Sequence, residues 1–230
     1  MEIVVNIDGK EVKLETNNSY WLVALNEKNK DKFLREFYSS NREKICYVDL
    51  INYDSLYNSN TYLDITNGLK NIEIIKLKGL LELFKLDYSI LKKNSYRLSS
   101  SEKKKIILLY AFLSNKEIVL INNSTIGLDR ESQLSLIRVI KHEKRNGKVI
   151  MLYSMDSNFM YEASDKVFDI EDNRIFDKYS FFSKTKRMDK YNIEIPDIEK
   201  IRKMAKENKK VKLGKTDNIN DFIKDVYRNV

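Results

Sequence analysis

Glycine is scarce in this chain: only 6 of its 230 residues are glycine, and proline occurs once. Loops that wrap around phosphate groups depend on glycine, because a backbone without Cβ lets successive N–H groups converge on the anion. The phosphate-loop pattern G-x-x-x-x-G-K-[ST] does not occur in the sequence. The composition therefore argues against an intact nucleotide site of that type.

Cysteine and histidine each occur once, as Cys46 and His142. A single cysteine excludes an intrachain disulfide and fits a reducing compartment. His142 lies within a helix predicted for residues 130–146, which Gly147 would end, and no acidic or histidine cluster accompanies it in the sequence. We therefore predict a surface side chain at this position and no metal site.

Long apolar runs are also missing. No stretch approaches the roughly 20 residues needed to cross a bilayer, and no signal-peptide pattern opens the chain. The net charge is +8, but its densest basic runs, 103–105 and 206–212, fall on predicted helices as solvated faces. This pattern does not favour nucleic acid as a partner, and it suits the anionic inner face of a membrane at least as well.

The sequence does contain short apolar runs suited to strands. With 42% hydrophobic residues, the chain is long enough for one large α/β domain and a small appendage. Alternating patterns at 3–5, 12–14 and 20–25 predict three strands, with a hairpin turn at Asp8-Gly9. The continuous apolar run 118–121 predicts a buried strand of a parallel sheet.

Two features flank that buried strand. Before it, Ser99 and Glu102 form a capping-box pattern at the start of an apolar helix that reaches about residue 114. After it come two amides, Asn122 and Asn123, and then a turn that ends at Asp129. The chain thus has helix, strand, paired amides and turn in that order.

This order resembles the ATP-binding-cassette (ABC) transporter ATPases across roughly residues 96–176. Five segments in the family's order and spacing carry the resemblance. Leu98-Ser99-Ser100-Ser101-Glu102 is similar to the signature motif L-S-G-G-Q, residues 118–125 are similar to the Walker B strand, and Gly127-Leu128-Asp129 is similar to the D-loop. Ser154-Met155-Asp156, after a strand at 148–153, stands where the family has Ser-His-Asp, and residues 165–175 are similar to its closing strands.

The resemblance implies an α/β fold of the ABC ATPase-like P-loop NTPase type. A domain at 1–178 would contain a mixed sheet core and a helical subdomain at about 54–97. Residues 179–230 would form a small C-terminal helical extension. Its Ile195-Pro196 and two following amphipathic helices resemble the extension of the ATPase subunits of energy-coupling factor (ECF) importers, where it helps two ATPases dimerise. Spacing groups its apolar residues into two faces: Ile198, Ile201, Met204 and Ala205, then Phe222, Ile223 and Val226.

Several family positions used within one subunit differ here. Asn122 and Asn123 replace the acidic pair that holds Mg²⁺ and polarises water, and an amide neither takes a proton nor brings a negative charge. Met155 replaces the switch histidine, and no Q-loop glutamine follows the strand at 45–48. Lys30 aligns best with the phosphate lysine, as a degenerate position. The alternative is an exposed lysine in a strand-to-helix turn.

Positions that the family lends to a partner subunit survive in part. Ser99, Ser100, Ser101 and Glu102 stand where the signature would contact a partner's nucleotide, together with Asp129 of the intact D-loop-like turn. Two serines in place of glycines keep the backbone donors but crowd the close approach of a phosphate. The alternative is that Ser99 and Glu102 only cap a helix.

The resemblance therefore implies a catalytically degenerate ATP-binding subunit of an ECF-type ABC transporter, inactive on its own. It would pair with an active ATPase subunit as a heterodimer, or with itself, and lend signature and D-loop residues to a composite ATP/Mg²⁺ site. An integral membrane transporter subunit would hold it at the cytoplasmic face of the cell membrane. The transported substrate, and the direction of transport, cannot be deduced from this chain.

Three alternatives stay open at this point. The chain could be a structural or regulatory pseudo-ABC protein without hydrolysis anywhere in its assembly. It could be the ATPase subunit of a peptide or antibiotic exporter. It could also be a weakly active enzyme that uses Lys30 in an atypical loop.

Overall fold

The third strand, Ser19–Val23, is the centre of the fold, because strands from the distant second half of the chain pair with both its edges. The computed structural model describes residues 1–51, 60–66, 69, 72–209, 213–216 and 219–229. The elements in order are β1 Glu2–Ile7, β2 Lys10–Glu15, β3 Ser19–Val23, α1 Glu27–Ser40, β4 Ile45–Asp49, α2 Thr61–Thr66, α3 Ile74–Leu83, short 3-10 helices Tyr88–Lys92 and Ser95–Arg97, α4 Ser100–Leu113, β5 Ile118–Asn122, α5 Arg130–Arg145, β6 Val149–Leu152, α6 Ser157–Ala163, β7 Lys166–Asp169, β8 Arg174–Asp177, α7 Lys178–Phe182, α8 Thr185–Lys190, α9 Asp197–Lys209 and α10 Ile219–Asn229.

Six strands form one mixed sheet in the order β4-β5-β6-β3-β7-β8. All neighbours are parallel except β7 and β8, which pair antiparallel. Every residue of β3, β5 and β6 is buried, as expected for parallel strands covered on both faces. The predicted α/β fold with a mixed sheet core is confirmed.

In the six-stranded sheet, alternate buried residues of a strand enter different cores, because successive side chains point to opposite sheet faces. Trp21 of β3 belongs to the core that also contains residues of α3, α4 and α5, whereas Tyr20 belongs to the core formed with α1 and the β1–β2 hairpin. The hairpin turns at Asp8 and Gly9, both at positive φ, as that dipeptide predicts. Helix α5 ends before Gly147 (φ +91°), and His142 is exposed on it, so both of those predictions are confirmed.

The outer edge of β1 is closed by a side chain rather than by another strand. Asn41, which follows α1, accepts a hydrogen bond from the Asn6 N–H (2.8 Å) and donates one to the Asn6 carbonyl (2.7 Å). Lys44 donates to the Val4 carbonyl at 2.7 Å. The amide of Asn41 thus makes the pair of bonds that a neighbouring strand would make.

The C-terminal helices pack on the same core as β3. Phe182 of α7 stacks on Trp21 with ring centres 5.5 Å apart. Further along, Ile198 of α9 and Phe222 of α10 are buried in this core. Arg202 joins the helices, since it donates to the Tyr161 hydroxyl (3.0 Å) and to the Gly214 carbonyl (2.7 Å).

The division into a domain at 1–178 and an extension at 179–230 stays a prediction. Of the helical subdomain predicted at about 54–97, residues 54–59, 67–68 and 70–71 lie outside the described range, as do 210–212 of the basic run. Across the described residues, no helix combines the length and apolar character needed to cross a membrane.

Candidate functional site

The carboxyl ends of the parallel strands meet at one edge of the sheet, which is where open α/β folds bind ligands. At this edge β3 passes into α1 through only Ala24, Leu25 and Asn26. Asn26 caps the helix, because its side-chain oxygen accepts a hydrogen bond from the Asn29 N–H at 2.9 Å. The turn is therefore too short for a phosphate-wrapping loop, and a side chain already serves the helix N-terminus.

Lys30 lies on the first turn of α1 with its ammonium turned inward. The residue is only 4% exposed, so the alternative of an exposed lysine in the turn is wrong. Its Nζ pairs with Glu27 and lies 3.2 Å from the Asp31 carboxylate and 4.7 Å from the centre of the Tyr153 ring. Burial alone would lower the pKa of Lys30, but these two carboxylates outweigh burial and raise it. The charge of Lys30 is thus neutralised by the helix that carries it.

A carboxylate from the turn between β7 and β8 lies against the same segment. Glu171 accepts a hydrogen bond from the Leu25 N–H at 2.9 Å and two from the Asn29 side-chain amide at 2.9 and 3.1 Å. Glu171 itself is half-buried. An anion of the chain therefore engages donors of the strand-to-helix turn.

The paired amides at the end of β5 are held by one carboxylate. Asn122 donates to Oδ2 of Asp49 at 2.9 Å, and Asn123 donates to Oδ1 at 3.0 Å. Asp49 ends β4, directly beside Asn122 in the parallel register. The backbone N–H of Ile51 also donates to Asp49, at 2.9 Å. The acidic group at this edge thus comes from β4, and its oxygens are engaged by amide donors.

Met155, at the position of the switch histidine, is 60% exposed at the end of β6. The hydroxyl of the preceding Tyr153 donates to Glu27 at 2.8 Å and lies 3.4 Å from the Met155 sulfur. Burial and the hydrogen bond to Glu27 raise the pKa of this phenol, so it stays protonated as a donor. The structure therefore brings Lys30 and Met155 to one place, joined through Tyr153.

The signature-like segment forms the start of α4. Ser99 accepts from the Glu102 N–H at 3.1 Å, and its own N–H donates to Glu102 at 2.8 Å, which completes the predicted capping box. This backbone hydrogen bond lowers the pKa of Glu102. Ser99 and Ser100 are exposed, and Ser101 is half-buried. Capping explains Ser99 and Glu102 but does not explain the two serines between them.

The D-loop-like turn lies beside that segment, since the Ser101 and Ser132 hydroxyls are 3.3 Å apart. Asp129 caps α5 by accepting from the Ser132 N–H at 2.8 Å, and it is exposed. Gly127 adopts φ +67°, which strains any residue with a Cβ, and a Cβ there would also displace the Lys104 ammonium. The structure thus gathers the predicted partner-facing residues on one exposed surface.

The charged and polar groups at the carboxyl ends of the strands bind each other in this arrangement. The lysine is neutralised by two acids, the donors of the turn hold Glu171, and the amides hold Asp49. Among the described residues, no three histidine, cysteine, aspartate or glutamate side chains group together as metal ligands.

Comparison with known proteins agrees with the motif order. The energy-coupling factor transporter ATP-binding protein EcfA2 of Staphylococcus epidermidis is 27% identical over 211 residues, 86% of this chain and 67% of that protein. EcfA2 of Staphylococcus saprophyticus is 22% identical and covers 90% of this chain and 74% of its own length. Over most of its length this chain is therefore similar to ATP-binding proteins of ECF transporters. No family model matches it.

Solved structures show the same ABC ATPase fold. The structure of cbiO1 from Clostridium perfringens, part of an ABC transporter complex, has a TM-score of 0.63 at 14% identity and covers 86% of this chain and 92% of that one. The ADP conformation of MJ1267, an ATP-binding cassette of an ABC transporter, has a TM-score of 0.63 at 13% identity, with coverage of 84% and 100%. At these identities the likeness establishes the fold alone.

Sequence reasoning missed the groups that fill the ABC ATPase-like site. Glu171 and its contact Asn29 are 142 residues apart, and Asp49 and Asn122 are 73 apart. The contact of Asp49 with Asn122 could have been found by assuming that β4 and β5 pair in parallel, because the residues that end two such strands then lie side by side.

Proposed function

We propose that this chain is a catalytically degenerate ATP-binding subunit of an ABC transporter of the ECF type. It would pair with an active ATPase subunit and lend its exposed signature-like and D-loop-like residues to that partner's ATP site. A membrane transporter subunit would hold the pair at the cytoplasmic face of the membrane. The observation that carries this proposal is that side chains of the chain engage Lys30, Asn122 and Asn123, whereas Ser99, Ser100 and Asp129 are exposed.

The exposed surface offers serine side chains and a helix N-terminus to such a role, although the Ser99 and Glu102 N–H groups already donate within the capping box. Catalysis of phosphoryl transfer is mainly positioning and charge stabilisation by preorganised donors. Ser99 and Ser100 are exposed at the N-terminus of the 14-residue helix α4, where backbone N–H groups and the helix dipole favour an anion. Asp129 is exposed on the adjacent turn.

The test uses the complex purified from native membranes, in which the copurifying ATPase and membrane chains are identified first. Complexes with wild-type chain, Ser100→Arg and Asn115→Arg are then compared for ATP hydrolysis. Ser100→Arg adds a bulky cation beside the cap without removing it, and Asn115→Arg adds the same group at the exposed far end of α4. We expect a loss of about tenfold or more for Ser100→Arg only.

Unchanged hydrolysis in a verified Ser100→Arg complex would show that this segment is a helix cap and nothing more. Hydrolysis that is absent from every wild-type complex would instead favour the structural or regulatory role. Copurification with a peptide or antibiotic exporter would overturn the ECF assignment.

We propose the C-terminal helices as the dimerisation element. Helix α10 buries Phe222 but exposes Ile219, Ile223 and Tyr227, which recur every fourth residue; Tyr227 is 86% exposed. On α9, Ile198 is buried whereas Met204 is 58% exposed. Each helix therefore divides its apolar residues between the core and an outer stripe, which a partner subunit would cover.

Paired substitution of the stripe tests this element. Ile223→Glu with Tyr227→Lys should shift the complex towards monomers in sedimentation, whereas exposed Lys224→Glu should not. Core residues stay in place, so circular dichroism should be unchanged. Pairing at undiminished affinity would assign dimerisation to another surface.

A further inference from the structure

The Glu171 carboxylate reaches across the sheet edge to the β3–α1 turn. It accepts three hydrogen bonds there, from the Leu25 N–H and from the Asn29 amide. Its own turn is fixed as well: the Glu171 N–H donates to Asp169 at 3.0 Å, and Asn173 adopts φ +52°. The carboxylate is thus held on a defined turn and aimed at a defined set of donors.

A carboxylate and a phosphate make the same demand on such donors. Both are anions that accept several hydrogen bonds through oxygen, and charge-assisted bonds of this kind are about twice as strong as neutral ones. In phosphate-loop proteins the strand-to-helix turn is ordered around a phosphate. Here the turn is ordered around a group of the chain itself.

We propose that Glu171 is the resident anion of this turn. Its carboxylate takes donors that a nucleotide phosphate would need, so the β3–α1 turn holds its folded arrangement without nucleotide. The same contact excludes a phosphate from the turn. The inference concerns the isolated chain, and its test is independent of the partner's ATP hydrolysis.

The test measures thermal unfolding of the full chain as wild type, Glu171→Ala, Glu171→Gln and Asp172→Ala. Asp172 is the matched control, as an exposed acid one residue away on the same turn. Loss of charge-assisted hydrogen bonds should lower the Tm of Glu171→Ala by about 4 to 8 °C, and Asp172→Ala should stay within about 2 °C of wild type. Glu171→Gln keeps an acceptor without charge and should fall between them.

Added formate tests whether Glu171 stabilises the turn as an anion or only by packing. Sodium formate, compared with sodium chloride at equal ionic strength, should recover a large part of the Tm lost by Glu171→Ala, because it supplies the missing carboxylate. It should do little for Glu171→Gln, whose amide still fills the place, or for wild type. A Glu171→Ala Tm equal to that of Asp172→Ala would overturn the proposal. So would a loss that formate does not relieve, or relieves no better than chloride.

Discussion

The N-termini of helices α1 and α4 are capped alike but differ in how exposed the neighbouring residues are. Helix α1 is capped by Asn26 and helix α4 by Ser99, each through a side-chain oxygen and a backbone N–H. Around α1, the acids and the lysine of the chain bind each other, and Glu171 takes the remaining donors named above. Around α4, Ser99 and Ser100 stay exposed. At α4 the Ser99 N–H also donates to a carboxylate, that of Glu102, so the two helix starts differ in exposure and not in whether an acid engages them.

The largest effect is expected from restoring the family's two acids at the end of β5. Asn122→Asp with Asn123→Glu would replace two donors to Asp49 by carboxylates at hydrogen-bond distance from it. We expect a loss of about 2 to 4 kcal/mol in the free energy of unfolding at pH 7, measured in urea, and no ATP hydrolysis by the isolated chain.

Adding Asp49→Asn to that double variant is the control. It removes the third carboxylate and lets an amide donate to the new acids, so most of the stability should return. Stability that does not fall in the double variant, or ATP hydrolysis that appears in it, would mean that the amides are not structural partners of Asp49.

A smaller loss in the free energy of unfolding is expected for Lys30→Met, which tests whether the lysine stabilises the fold. Removing the ammonium from Glu27 and Asp31 should cost about 1 to 2 kcal/mol, an estimate reduced because both carboxylates are largely exposed. Burial would raise the pKa of Glu27, but hydrogen bonds from Lys30 and Tyr153 outweigh it and lower the pKa below 4.5.

The pH dependence follows from that direction. A carboxyl whose folded-state pKa is lowered contributes its full stability above the unfolded value of 4.5 and loses it as pH falls through the folded value. The difference between wild type and Lys30→Met in urea unfolding should therefore narrow below pH 4.5. A difference that is constant from pH 7 down to the acid range would show that packing, rather than the ion pair, is what Lys30 provides.

The smallest effect is expected on the α4 side. Ser99→Ala removes the cap and should cost about 1 kcal/mol, whereas Ser100→Ala should leave the unfolding free energy nearly unchanged because Ser100 is exposed. Thermal unfolding compares the two variants. Equal losses would mean that Ser100 has a structural role, which would weaken its use as a probe of the partner's site.

The sequence predicted the sheet, the hairpin and the helix ends well, because each rests on local signals. The apolar run at 118–121 became β5, Gly147 followed α5, and Ser99 with Glu102 formed a complete capping box. These signals depend on periodicity and on capping chemistry within a few residues.

The filled state of the β3–α1 face could not be predicted in the same way. Missing glycines indicated that a phosphate loop was absent, but not what stands in its place. Lys30 was expected to be either a ligand or exposed, and it is buried between acids that flank it on one helix turn. Glu171 reaches the face only through the order of strands in the sheet, since β7 is the neighbour of β3.

The position of β3 also has a consequence for how the chain is made. Ser19–Val23 is synthesised before both strands that flank it, since Val149–Leu152 and Lys166–Asp169 follow it by well over 100 residues. Pairing across such separations is slow, because loop-closure entropy is lost before the contacts form. The apolar strand β3 therefore stays without its neighbouring strands during much of synthesis. A nascent chain that ends before residue 149 lacks both of them.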